Sequence, residues 1–162
     1  MSDPITAIKT PVRLKYTITA GKHRTIFLKG IMNQKIIGGV CPETGKVYVP
    51  PLGSCPVSGQ PTSTDVEIKE TGVVTTFCVV NIPFEGQKLE PPYVAAAILL
   101  DGADMPIFHL VGGVDADQVR MGLRVKAVWS APEELAPTLA SIRYFTPTGE
   151  EDAPYELYRE HL

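Results

Sequence analysis

Two short cysteine motifs constrain this chain more than any other feature of it. Cys41-Pro42-Glu43-Thr44 and Cys55-Pro56-Val57-Ser58 stand ten residues apart, and each is followed by a glycine, Gly45 and Gly59. The spacing predicts two knuckles facing each other across a hairpin, as in a zinc ribbon, where paired C-x2-C turns present four thiolates to one tetrahedral ion. Thr44 and Ser58 occupy the second ligand position of each knuckle. A neutral hydroxyl has a far higher pKa than a thiol and supplies little of the charge that offsets desolvating a dication. Three readings of Cys41 and Cys55 stand side by side: structural thiols in a metal-free hairpin, zinc held with help from elsewhere, and a disulfide. His23, His109 and His161 are the only imidazoles, and none lies at ligand spacing from either cysteine. The missing ligands favour the first reading, and no zinc or other cofactor is expected.

Glycine and proline punctuate the whole stretch 36–60, with a short strand expected over 46–49. Ahead of it, Ile26, Phe27, Leu28, Ile31 and Met32 recur at three-to-four spacing, which predicts a short amphipathic helix within 21–34, although Gly30 weakens it. Residues 1–20, with Pro4 and Pro11, read as an extended arm carrying a short strand over 12–18. Beyond the hairpin, β-type segments at 64–68, 72–81, 93–101, 105–111, 123–130 and 141–145 alternate with turn signals. That rhythm predicts a closed antiparallel barrel of five to six strands. Asp101-Gly102 marks a hairpin turn, and Asp115 is placed as the N-cap of one helical turn. The stretch 147–162 carries Glu150, Glu151, Asp152 and Glu160 and reads as an acidic tail that folds against a partner.

Several of these elements together resemble a known family. They are the short helix, the paired knuckles around Tyr48-Val49-Pro50-Pro51, and the segment Glu70-Thr71-Gly72-Val73-Val74-Thr75-Thr76-Phe77. The run from Pro91 to Gly102 and the strand Met121-Gly122-Leu123-Arg124-Val125-Lys126-Ala127 complete the set. Over 21–146 the chain resembles the rubredoxin-like zinc-ribbon plus OB-fold proteins grouped as domain-of-unknown-function family thirty-five, found beside thiolases and acyl-CoA hydratases. The resemblance implies a mainly β chain with four parts: an N-terminal arm (1–20), a helix plus degenerate ribbon hairpin (21–62), an OB-fold barrel (63–146) and an acidic tail (147–162). It implies a partner rather than a reaction. Such proteins are accessory subunits of thiolase-like enzymes in lipid metabolism, and their ribbon and helix are implicated in touching the CoA moiety or the partner. A hetero-oligomer with a thiolase-like subunit, in contact with acyl-CoA, is the expected state.

A search for independent catalysis finds nothing that converges. Cys78 sits in the apolar run Phe77-Cys78-Val79-Val80 with no basic neighbour, which predicts a buried, inert thiol. Asp101, Asp104, Asp115 and Asp117 flank turns, where solvated caps explain them. Binding residues are easier to nominate. CoA phosphates ask for cations, and its pantetheine arm lies along apolar and proline-rich walls. Lys22, Arg24 and Lys35 supply the first, and Tyr48 and Pro50 the second, as CoA-contact candidates. Phe84 on the proline-rich loop 82–92, with Tyr155 and Tyr158 in the tail, are candidate anchors on a partner.

The runner-up is a barrel that binds single-stranded nucleic acid, which would stack bases on aromatics in a basic groove. A net charge of −3 provides no broad positive field for phosphates, so nucleic acid is not expected. The longest apolar stretch, 93–100, cannot cross a bilayer, and the N-terminus lacks a signal-peptide pattern; a cytoplasmic location is expected.

Overall fold

The computed structural model describes residues 5–10, 14–64 and 66–162. The strand expected over 12–18 begins outside the described residues, and its remainder, 14–18, is exposed and without regular structure. Helix α1, Gly21–Ile31, buries Phe27 and Ile31, spaced four apart on one face. It stops because the chain folds back at once: the N–H groups of Asn33 and Lys35 both donate to the Gly30 carbonyl, and Gln34 takes a left-handed φ of 55°. Gly30 belongs to this reversal. A Cβ there would stand 2.9 Å from the Lys35 carbonyl oxygen, which leaves no room for any other residue.

Strand β1, Ile36–Val40, lies between β2, Val47–Tyr48, and β3, Val66–Ile68, in a three-stranded antiparallel sheet. This corrects the expectation that β3 belongs to the barrel. Its partner there would be β7, but β7 is already taken by the chain just downstream, since Ala127 donates to the Glu70 carbonyl and Thr71 pairs with Lys126. The free edge of β1 takes β3 instead, pairing Ile36 with Ile68.

The barrel is five-stranded and closed in the order β4-β5-β6-β8-β7, from β4, Thr71–Val80, β5, Tyr93–Leu100, β6, Ile107–Val111, β7, Arg124–Trp129, and β8, Ile142–Pro147. A turn at Asp101-Gly102 carries β5 towards β6, closed by the Ala103 N–H on the Leu100 carbonyl. Closure between β6 and β8 is parallel, at Val111 and Phe145. Val74, Ile98, Leu100, Val125, Ile142 and Phe145 fill the interior, and Phe27, Ile31, Ile36 and Val49 from helix and ribbon join the same core. The ribbon is therefore packed on the barrel as one apolar unit. Among the described residues no helix is long and apolar enough to cross a membrane.

Two local expectations are corrected. Cys78 is exposed. A bulge between Val74 and Thr76 shifts the facing of β4 by one residue, so inward positions run from Val74 to Val79 rather than through Cys78. Asp115 does precede a single 3-10 turn, Ala116–Gln118, but its side chain caps nothing; the turn closes through its backbone carbonyl to Gln118.

The tail lies on the chain's own barrel. After Ala153 donates to the Gly122 carbonyl, the short helix α2, Tyr155–Tyr158, lays Tyr158 over Val73 and Leu99, a cross-strand pair on the outer face of β4 and β5. That pair would otherwise be two bare aliphatic side chains, and Tyr158 is only 7% exposed above it.

Asp101 clasps the barrel seam. Its carboxylate accepts two hydrogen bonds from Arg124, at 2.7 and 2.6 Å, and one from Thr71 at 2.5 Å. Arg124 is the main cause of a carboxyl pKa below its ordinary value. The folded state thus releases this proton more readily than the unfolded chain, so the clasp's stabilisation is complete above the ordinary carboxylate pKa and fades as pH falls below it. Asp101→Asn is expected to cost about 1–2 kcal/mol at neutral pH and to flatten the acid limb of a urea-midpoint-against-pH profile.

Candidate functional site

The two knuckles are built alike. Gly45 donates to the Cys41 carbonyl at 2.9 Å and Gly59 to the Cys55 carbonyl at 2.8 Å, while Cys41 and Cys55 donate to Lys46 and Gln60. Gly45 and Gly59 hold left-handed φ values of 70° and 75°, which lets each turn curl back on its cysteine. The four corner residues converge as the spacing predicts. The Ser58 hydroxyl lies 3.3 Å from Cys41 Sγ, Thr44 donates its N–H to Cys41 Sγ at 3.4 Å, and the Thr44 hydroxyl lies 3.9 Å from Cys55 Sγ. Both sulfurs are buried, with Leu52 and Met105 packed around them.

Tyr48, nominated as a wall for a ligand, completes this cluster. It is 5% exposed, and its hydroxyl contacts Cys55 Sγ at 3.3 Å. Hydrogen bonds set the acidity of the three groups. Cys41 is lowered, chiefly by the Ser58 and Thr44 hydroxyls. Burial works against ionising Cys55, but donors from Tyr48 and Ser58 and the N–H groups of Ser58 and Val57 outweigh it and lower this thiol too. The contact with Cys55 pushes Tyr48 up to about 12. Two sulfurs and two neutral hydroxyls do not fit the four N or S ligands that structural zinc requires.

The basic residues divide. Lys22 and Arg24, in the first turn of α1, border a cleft of about 340 Å³ whose other wall is Pro51-Leu52-Gly53. His23 reaches from that turn to the Thr62 carbonyl at 3.4 Å and pins helix to hairpin. No side chain caps the start of the helix, whose positive end, at Ala20, Gly21 and Lys22, borders the same cleft. Pro50 is exposed next to it in sequence. Lys35 does not join them: it pairs with Glu67 at 2.7 Å and lines a separate cleft with Glu70 and Trp129.

Among the proposed anchors, Phe84 is 65% exposed on its loop, and Tyr155 is half exposed, its ring edge-on to Tyr158 at 5.6 Å. Tyr158 itself is buried on the chain's own barrel, against Val73 and Leu99. A further exposed aromatic, Phe108, which the sequence offers only as a base-stacking candidate under the nucleic-acid reading, stands at the rim of a largely apolar cleft formed with Ala95, Leu110 and Leu139. The pleat of β6 sets it outward, with Ile107 and Val111 buried on the other face. His109 beside it is structural: its Nε2 faces the Leu139 carbonyl at 3.4 Å, its Nδ1 accepts from Leu110, and burial lowers its pKa.

Comparison with known proteins places this architecture. Residues 29–62 match the ChsH2 rubredoxin-like zinc ribbon domain and residues 65–130 the ChsH2 C-terminal OB-fold domain. The chain belongs to this zinc-ribbon plus OB-fold family. No curated protein matches it in sequence. Among solved structures it is similar to one described as Ltp2-ChsH2(DUF35) aldolase, at 21% identity and a TM-score of 0.61, covering 82% of this chain and 98% of that one. It is also similar to a DUF35-family protein of unknown function from Sulfolobus solfataricus, at 26% identity and a TM-score of 0.57, covering 67% of this chain and 78% of that one. The family's ribbon is described as a zinc ribbon, and this member departs from it at Thr44 and Ser58.

Proposed function

We propose that this chain is an accessory subunit of a thiolase-like enzyme acting on acyl-CoA, with the reacting groups supplied by the partner. The observation that carries this reading is the match of ribbon and barrel alike to ChsH2 domains, joined to a structural neighbour described as an Ltp2-ChsH2 aldolase. The chemistry of this chain is in keeping with it. Its two thiols of lowered pKa are sealed in the knuckle core, its one imidazole with a lowered pKa is tied to backbone, and its lowered carboxyl is neutralised by an arginine.

In this reading the cleft at the start of α1 meets the CoA moiety. Lys22, Arg24 and the uncapped helix end present positive charge to phosphate, while Pro51 and Leu52, with Pro50 beside them, give the pantetheine arm an apolar wall. Phe84 and Tyr155 anchor on the partner through rings already exposed in the single chain. Reversing both charges, Lys22→Glu with Arg24→Glu, is expected to weaken CoA binding by the assembled complex about tenfold or more, measured by isothermal titration. Unchanged affinity would remove CoA contact from the role of this chain while leaving the partnership standing.

A further inference from the structure

We propose that the knuckle pair is a metal-free centre in which the hydroxyls of Tyr48, Thr44 and Ser58 hold the two sulfurs in place of zinc, and that Thr44→Cys with Ser58→Cys turns it into a zinc site. Three features of the geometry lead there. Each knuckle turn is closed by a backbone hydrogen bond of its own, from the Gly45 N–H to the Cys41 carbonyl and from the Gly59 N–H to the Cys55 carbonyl. Both sulfurs already have hydrogen-bonding partners: the Ser58 hydroxyl lies 3.3 Å from Cys41 Sγ, the Tyr48 hydroxyl 3.3 Å from Cys55 Sγ, and the Thr44 N–H donates to Cys41 Sγ at 3.4 Å. Tyr48 in particular is a large buried group whose hydroxyl stands 3.3 Å from Cys55 Sγ, where it competes with a metal for the sulfur lone pairs.

Charge decides against zinc as well. Two thiolates and two neutral hydroxyls leave a buried dication with less ligand charge and softer binding than three or four thiolates give. The same corners restored to cysteine would present four sulfurs from positions that already converge, with the glycines that follow already in the left-handed conformation the knuckles need.

The test is made on the full chain, expressed in zinc-supplemented medium. The natural protein is expected to carry well under one zinc per chain by elemental analysis, and its melting temperature is expected to be the same with and without EDTA. The double variant is expected to bind one zinc per chain and to melt about 5 °C or more higher, a gain that EDTA removes. Tyr48→Phe, which keeps the ring, is expected to melt about 3 °C lower with no change in zinc content. Stoichiometric zinc or EDTA-sensitive melting in the natural protein would overturn the proposal. So would a folded double variant that takes up no zinc. If that variant does not fold, Tyr48→Phe decides: unchanged melting would refute a hydroxyl-held centre.

Discussion

Phe145→Ala is expected to destabilise the chain by about 4 kcal/mol, a large part of what a domain of this size has to lose. The side chain is fully buried, and it stands at Val111, where β6 and β8 meet in the parallel contact that closes the barrel. Its ring also meets His109 edge-on, with centroids 5.5 Å apart. Removing it leaves a cavity between strands joined by that single register pair, so neither side can collapse without breaking the seam. The urea midpoint should fall steeply while the ribbon and barrel still unfold together, because Phe27, Ile31 and Val49 share the core with Phe145. A variant that retains near-natural stability would mean the barrel is not closed at this point.

Tyr158→Ala is expected to cost about 3 kcal/mol in the isolated chain, or a melting temperature lower by roughly 6–12 °C. The tyrosine covers Val73 and Leu99, and its hydroxyl end lies over Gly122, where a Cβ would come within 3.4 Å of it. Its loss bares an aliphatic patch on β4 and β5, so binding of a hydrophobic dye should rise with the fall in stability. The result separates two roles for the tail. If the acidic tail ordered only on a partner, the isolated variant would melt like the natural protein and only the complex would weaken.

Much of this architecture was legible. The knuckles, the Asp101-Gly102 turn and the barrel strands rest on short-range chemistry, namely left-handed glycines, turn residues and apolar β-type runs, and β2 to β8 fall within a few residues of the strands expected, whereas β1, Ile36–Val40, was not expected as a strand. What escaped depends on long-range choices. The β4 bulge flips Cys78 outward from within the run Val73-Val74-Thr75-Thr76, with no glycine or proline at the bulge itself to announce it. Strand β3 chooses β1 because β7 is already occupied, which only the assembled sheet decides. Tyr48 and Tyr158 look alike in sequence to the exposed Phe84 and Tyr155; each is buried because another part of the chain, the Cys55 sulfur or the Val73–Leu99 pair, needs covering. At the candidate site, the convergence of Thr44 and Ser58 on the cysteines followed from spacing, whereas the pairing of Lys35 with Glu67, far along the chain, did not.

The functional reading stands or falls on where catalysis resides. Cleavage of an acyl-CoA should be followed for this chain alone, for a thiolase-like protein from the same source alone, and for the two co-expressed and purified together. Co-elution as one complex, with turnover present only when the partner is there and raised by this chain, is the predicted result. Turnover by this chain alone, or a partner whose binding and activity are indifferent to it, would contradict the assignment.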